Sequence, residues 1–264
     1  MVLLKLRPRY VTTLLLTIIV ALTVAGVAVQ ISEHALSFRG HERLLGLRRL
    51  LDLDEENNVP SLYSSFALLW CAFLLAGIAV VAGHMRLRYQ RHWVALAAIF
   101  LYLSFDEGAR IHESAIDPLR SVFSPEGIWY YAWIVPALAA VFVIGMAYLR
   151  FLGHLQPSVR LLFAAAFFVY MLGAVGGEMV EGVYATEVGD PHDRLDFNLV
   201  IALEEFLEMM GVAIFSHALM SHLTFNGREV RLSIEKLSHP VSGFPESGSV
   251  PDRAGAEVLH EAHS

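Results

Sequence analysis

Residues 11–31 read VTTLLLTIIVALTVAGVAVQI and carry no charge. A run of that length suits one environment above all, since roughly 20 residues rising about 1.5 Å each cross roughly 30 Å of hydrocarbon. Inside hydrocarbon the backbone must satisfy its own hydrogen bonds, which a helix does. Comparable runs follow at 62–83, 92–113, 128–149, 160–181 and 199–222. The composition agrees, with 56% hydrophobic residues, 17% charged and a mean hydropathy of +0.53, where soluble domains carry roughly a quarter charged residues. The fold expected is therefore all-α, a polytopic membrane bundle of six transmembrane helices over 1–225. A polar, mobile cytoplasmic tail follows at 226–264. The third helix is the shortest apolar stretch, because Trp93–Phe105 runs straight into Asp106. To cross, it must take acids into the membrane.

The basic residues set an orientation. Lys5, Arg7, Arg9, Arg86, Arg88, Arg91, Arg150, Arg160 and four tail residues fall on one side, which the positive-inside rule makes cytoplasmic. Both termini are then cytoplasmic, and the expected location is a bacterial inner (plasma) membrane. The first span exceeds the apolar core of a signal peptide and lacks a following A-x-A site, so it reads as a retained helix. In the first outer loop, 32–60, HERLLGLRRLLDL places Leu44, Leu45, Leu47 and Leu51 opposite Arg43, Arg48 and Arg49, the pattern of an amphipathic helix lying in the interface. Trp129, Tyr130, Tyr131, Trp133 and Tyr63 read as an outer aromatic belt, and Trp93 and Tyr148 as an inner one.

Acids are more lopsided than bases. Of 26 Asp and Glu, six lie in the tail and the other 20 all fall on the outer side or the outer halves of helices. With a formal net charge of -7, the chain has no basic footprint for nucleic acid. Its single cysteine, Cys71, can form no internal disulfide.

Three helices carry carboxylates within their spans: Asp106 and Glu107 on the third, Glu178 and Glu181 on the fifth, and Glu204, Glu205 and Glu208 on the sixth. Counted from the inner boundary, Asp106, Glu178, Glu205 and Glu208 lie roughly 21 to 27 Å up, in one layer. Residues three or four apart share a helical face, so Glu178 faces with Glu181, and Glu204 or Glu205 with Glu208. On the third helix Asp106, Arg110, Glu113 and Asp117 form a stripe with His112 beside it. So many like charges in a low dielectric need a cation or protons among them.

The expected site is a metal centre held by Asp106, Glu107, His112, Glu178, Glu181, Glu204, Glu205 and Glu208, with Glu205, Glu208 and Glu178 as its catalytic carboxylates. Mixed oxygen and nitrogen ligands suit iron, manganese or zinc, and all-oxygen ligands suit calcium or magnesium. Glu-x-x-Glu occurs twice, but Glu-x-x-His, which bundle-core di-metal sites usually combine with such glutamates, does not occur. The corresponding function is a membrane metalloenzyme, a hydrolase or oxidase acting on a lipidic substrate in the bilayer. An ion-coupled transporter is the alternative, though the inner halves of the spans hold no acid to relay an ion. A further alternative is a non-catalytic accessory or sensor subunit. Loop residues Asp190, His192, Asp193 and Asp196 read as a turn, His217 and His222 as interfacial, and Gly173, Gly176 and Gly177 as places of close helix approach.

Overall fold

Capping chemistry sets where the long helices start and stop. The computed structural model describes residues 2–5, 7–36, 47–53, 58–112, 114, 116–123, 125–189, 191, 194–225 and 231–234. Helix α1 (Pro8–Leu36) opens on a proline, whose missing N–H is not needed in a first turn. A five-residue helix α2 (Leu47–Leu51) follows. Helix α3 (Val59–His84) starts from a capping box: Ser61 N donates to Asn58 Oδ1 at 3.1 Å, and Asn58 N donates to Ser61 Oγ at 3.2 Å. Helix α4 (Gln90–Ala109) begins after Tyr89 and ends at Arg110, both left-handed with φ of 72° and 54°. The chain continues through α5 (Ile116–Phe123), a 3-10 turn at Gly127–Trp129 and α6 (Ile134–His154). Helix α7 (Pro157–Met171) then passes without a break through a π-helical segment, Leu172–Gly177, into α8 (Glu178–Val188). Helix α9 (Leu195–Phe225) is the longest, at 31 residues. Two short strands, β1 (Val2–Lys5) and β2 (Arg231–Ile234), pair antiparallel with Val2 opposite Ile234.

Among the described residues, four helices are long and apolar enough to cross a membrane: Pro8–Ala35, Val59–His84, Ile134–His154 and the continuous Pro157–Val188. Their outward faces fit that environment, with Leu14, Phe66, Phe73, Phe142, Leu161 and Phe168 all exposed. Apolar surface on that scale is tolerable only against lipid or a partner. Inside, α9 forms the axis and packs on α1, α3, α7 and α8. The main core joins Cys71, Leu75 and Ile78 of α3 to Trp93, Phe151, Phe163, Phe215 and Leu219.

Several local expectations change. Trp93 is 5% exposed, wedged edge-on against Phe151 at 4.8 Å, so it is a core residue and not part of a belt. The third helix ends at Ala109 instead of 113, because Asp106 Oδ1 accepts the backbone N–H of His112 at 2.9 Å and turns the chain back on itself. The stripe from Asp106 to Asp117 is thereby broken: Arg110 sits in the turn and residue 117 lies on α5. The fifth helix runs on to Val188, past the expected 181. Of the amphipathic loop helix the described residues show Leu47–Leu51 as helical, and 37–46 and 113 lie outside the described residues. The loop's end folds onto α1, where a Cβ on Gly26 would meet Leu53 Cγ at 2.8 Å. The tail contributes a strand that the sequence does not announce, and 226–230 and 235–264 fall outside the described residues.

Candidate functional site

The carboxylates gather at one end of the bundle because glycines let two helices touch there. A Cβ on Gly173 would meet the carbonyl oxygen of Glu204 at 2.8 Å, and one on Gly177 would meet Glu204 Oε2 at 2.5 Å. Lower on the same contact, a Cβ on Gly211 would strike Tyr170 Cβ at 2.7 Å. Only hydrogen side chains allow the α7–π–α8 run to lie this close to α9. The extra residue of a π turn also re-aims the side chains that follow, a device common at functional sites.

This packing brings together the acids expected to form one layer. Glu204 on α9 hydrogen-bonds Glu181 on α8 and faces Glu208 and Glu178. Glu208 in turn faces Glu205 and reaches across to Glu107, Glu178 and Glu181. Tyr170, at the end of α7, is ringed by Glu208, Glu107, Asp106 and Glu205. Carboxyl groups from α4, α8 and α9 therefore act on one another electrostatically, and Asp106, Glu107, Glu205 and Glu208 act on Tyr170 as well. Glu181 is the most enclosed, at 8% exposure. Glu204 Oε2 is buried and accepts no hydrogen bond among the described residues. A hydrogen bond between two carboxyl groups requires a proton, and a buried carboxylate oxygen requires a donor or a cation. The neighbourhood thus holds a demand for positive charge.

His112 is oriented differently from a free ligand. Its Nδ1 lies 3.0 Å from Asp106 Oδ2, and its ring packs 5.0 Å from that of Trp133. The pair ties the end of α4 to the start of α6. Among the described residues no three His, Cys, Asp or Glu side chains stand close enough together to hold one metal ion as they are placed. Side-chain rotation would be needed to converge them.

Tyr170 is the site residue that the sequence reading passed over. The signal was present, since Tyr170, Gly173, Gly177 and Glu181 follow one another at steps of three, four and four, which is one helical stripe. Elsewhere, His217 bonds Thr12 Oγ1 at 2.8 Å and His222 packs 5.0 Å from Trp93, so both belong to helix packing at the opposite end. Before the sixth expected span, Arg194 grips Asp196 at 3.0 and 2.7 Å and holds its carboxyl down to about 2. Residues 190, 192 and 193 of that loop lie outside the described residues.

A family model described as Domain of unknown function (DUF8692) matches residues 8–223. No curated protein and no solved structure matches the chain.

Proposed function

The chain belongs to the DUF8692 family, and for it we propose a six-span membrane protein that binds a divalent cation in its carboxylate cluster and uses it on a lipidic substrate. The observation that carries the reading is that Glu204 and Glu208 stand within electrostatic reach of Glu107, Glu178, Glu181 and Glu205, with Asp106, Glu107, Glu205 and Glu208 also acting on Tyr170. That many acids in a poorly solvated place are tolerable only with compensating charge. The donors are mainly carboxylate oxygens, with Nε2 of His112 left as a nitrogen donor by the contact of its Nδ1 with Asp106. Oxygen donors favour manganese, magnesium or calcium over zinc.

Two further helices support six crossings. Helix α4 starts beside the end of α6, with Tyr89 5.2 Å from His154, and finishes beside its beginning, with His112 5.0 Å from Trp133. Helix α9 starts next to α8, with Phe197 5.6 Å from Tyr184, and ends at His222 against Trp93, near the start of α4. Both traverse the thickness that α6 traverses. Basic residues 86–91, 150 and 160 cluster at the end away from the acids, which favours placing that end in the cytoplasm of a bacterial inner membrane. In the sequence the acids of the spans lie only in their outer halves, which favours an enzyme or cation-binding subunit over a carrier.

Elemental mass spectrometry of the detergent-purified protein, prepared without chelators, tests the reading against a Glu205→Ala, Glu208→Ala double variant of equal monodispersity. One or two equivalents of a divalent metal in the parent, lost in the variant, are the expected result. Absence of metal in both would overturn it and leave shared protons as the compensating charge.

A further inference from the structure

At the acidic end, where two apolar helices emerge, the surface carries a cavity of about 550 Å³ between α5, the 3-10 turn and the last turns of α8. It sits where head groups lie if the α7–π–α8 run spans the bilayer, because that run stops at Val188 and α6 starts at Ile134. Trp129 and Ile128 beside it are 41% and 45% exposed, as residues at a lipid boundary are. Its charged lining residues are Arg120 and Glu126, one of each sign.

The remaining polar groups have a definite donor and acceptor balance. Thr186 Oγ1 donates to Gly182 O at 2.8 Å and accepts from Gly127 N at 2.8 Å. Ser121 Oγ donates to Pro118 O at 2.7 Å. Both hydroxyl protons are spent on the backbone, so these side chains offer lone pairs to the cavity. Arg120 lies over the ring of Tyr130 at 3.7 Å and makes no ion pair among the described residues. Its guanidinium is thus the strong donor, and Glu126, Ser121 and Thr186 are the acceptors. A free phosphate, which wants donors on every side, matches that balance poorly. A group with an anion at one end and N–H donors at the other matches it well.

We propose that this cavity binds the phosphoethanolamine head group of a membrane phospholipid, with the phosphate on Arg120 and the ammonium on Glu126 and the hydroxyls of Ser121 and Thr186. The assignment does not depend on a metal in the carboxylate cluster. Gly182 ties the two places together structurally, since a Cβ there would meet Gly127 O at 2.6 Å on the cavity's side while Glu181 precedes it in the chain. A lipid held here lies one helical step from the acids.

The test is native mass spectrometry of the purified full-length protein titrated with phosphatidylethanolamine and, separately, phosphatidylglycerol. Glycerophosphoethanolamine and inorganic phosphate serve as soluble competitors. The expected result is at least about tenfold preference for phosphatidylethanolamine, loss of that preference in Arg120→Gln, and partial recovery in Arg120→Lys, as for a charge-assisted hydrogen bond. Glu126→Gln should lower phosphatidylethanolamine retention while leaving phosphatidylglycerol unchanged, and its far position from the core makes it a variant that folds. Equal retention of the two lipids by the parent, full displacement by inorganic phosphate alone, or retention unchanged in both variants would each overturn the assignment.

Discussion

Glu204 shows what one side chain does here. Its carboxyl is enclosed beside Glu181, Glu208 and Glu178, with Oε2 accepting no hydrogen bond among the described residues. Removing one charge from such a group relieves repulsion when no cation is present and removes a ligand when one is. Glu204→Gln should therefore raise the thermal midpoint of metal-free protein and shrink the rise produced by added manganese. A ligand at 100 times its dissociation constant stabilises by about 2.7 kcal/mol, so the change is measurable in a melting series. A variant that melts like the parent with and without metal would remove Glu204 from the site. Asp106 works in another way. It accepts both the backbone N–H and the Nδ1 of His112, and Asp106→Ala should cost about 1–3 kcal/mol by orphaning a partly buried donor, read from detergent unfolding. The acids themselves were legible in the sequence, because charged residues inside apolar runs stand out. The bond between Asp106 and His112 was not, since helical periodicity assumes that the helix continues and here the side chain ends it.

The α7–π–α8 run shows how elements make the site. Small residues at 173, 176 and 177 suggested close approach; a Cβ on Gly176 would meet Leu172 of its own run, while the structure puts 173 and 177 against α9. Gly211, on the opposite helix, does the same against Tyr170. Glycine to alanine has opposite expected signs along the chain for this reason. Gly177→Ala and Gly211→Ala should each destabilise by about 1–3 kcal/mol through overpacking. Gly77→Ala, where nothing lies within 4 Å of the new methyl group, should stabilise α3 by about 0.5–1 kcal/mol. Stabilisation at 177 or 211 would mean that the helices do not approach as described. Apolar runs of span length could be read directly. The π turn could not, because it is set by which residues of α9 must be avoided, and that is a property of the pair of helices.

At the scale of the whole molecule, the arrangement divides into an apolar core and an acidic end. Counting residues along each span puts the acids at similar depths if all six helices cross together, which the helix boundaries alone do not test. Strand β2 was not legible in the sequence, because it pairs with β1 at the other end of the chain, and the early stop of α4 was not, because it rests on the side-chain bond between Asp106 and His112. If α4 and α9 cross as α6 does, cysteines placed at Arg88 and Thr224 should react with an impermeant maleimide from one side of a sealed vesicle, and those at Ser114 and Arg194 from the other. Buried Cys71 should stay unlabelled throughout. Labelling of Arg88 and Ser114 positions from the same side would remove α4 from the spans.

If α4, α8 and α9 build one cation site, manganese should occupy it. Anomalous scattering from crystals of the full chain grown with manganese addresses it directly. The expected result is a single strong peak beside Tyr170, within coordination distance of carboxylate oxygens from at least two of these helices. Manganese bound only elsewhere, or no peak at the cluster in crystals that diffract well enough to show one, would contradict it.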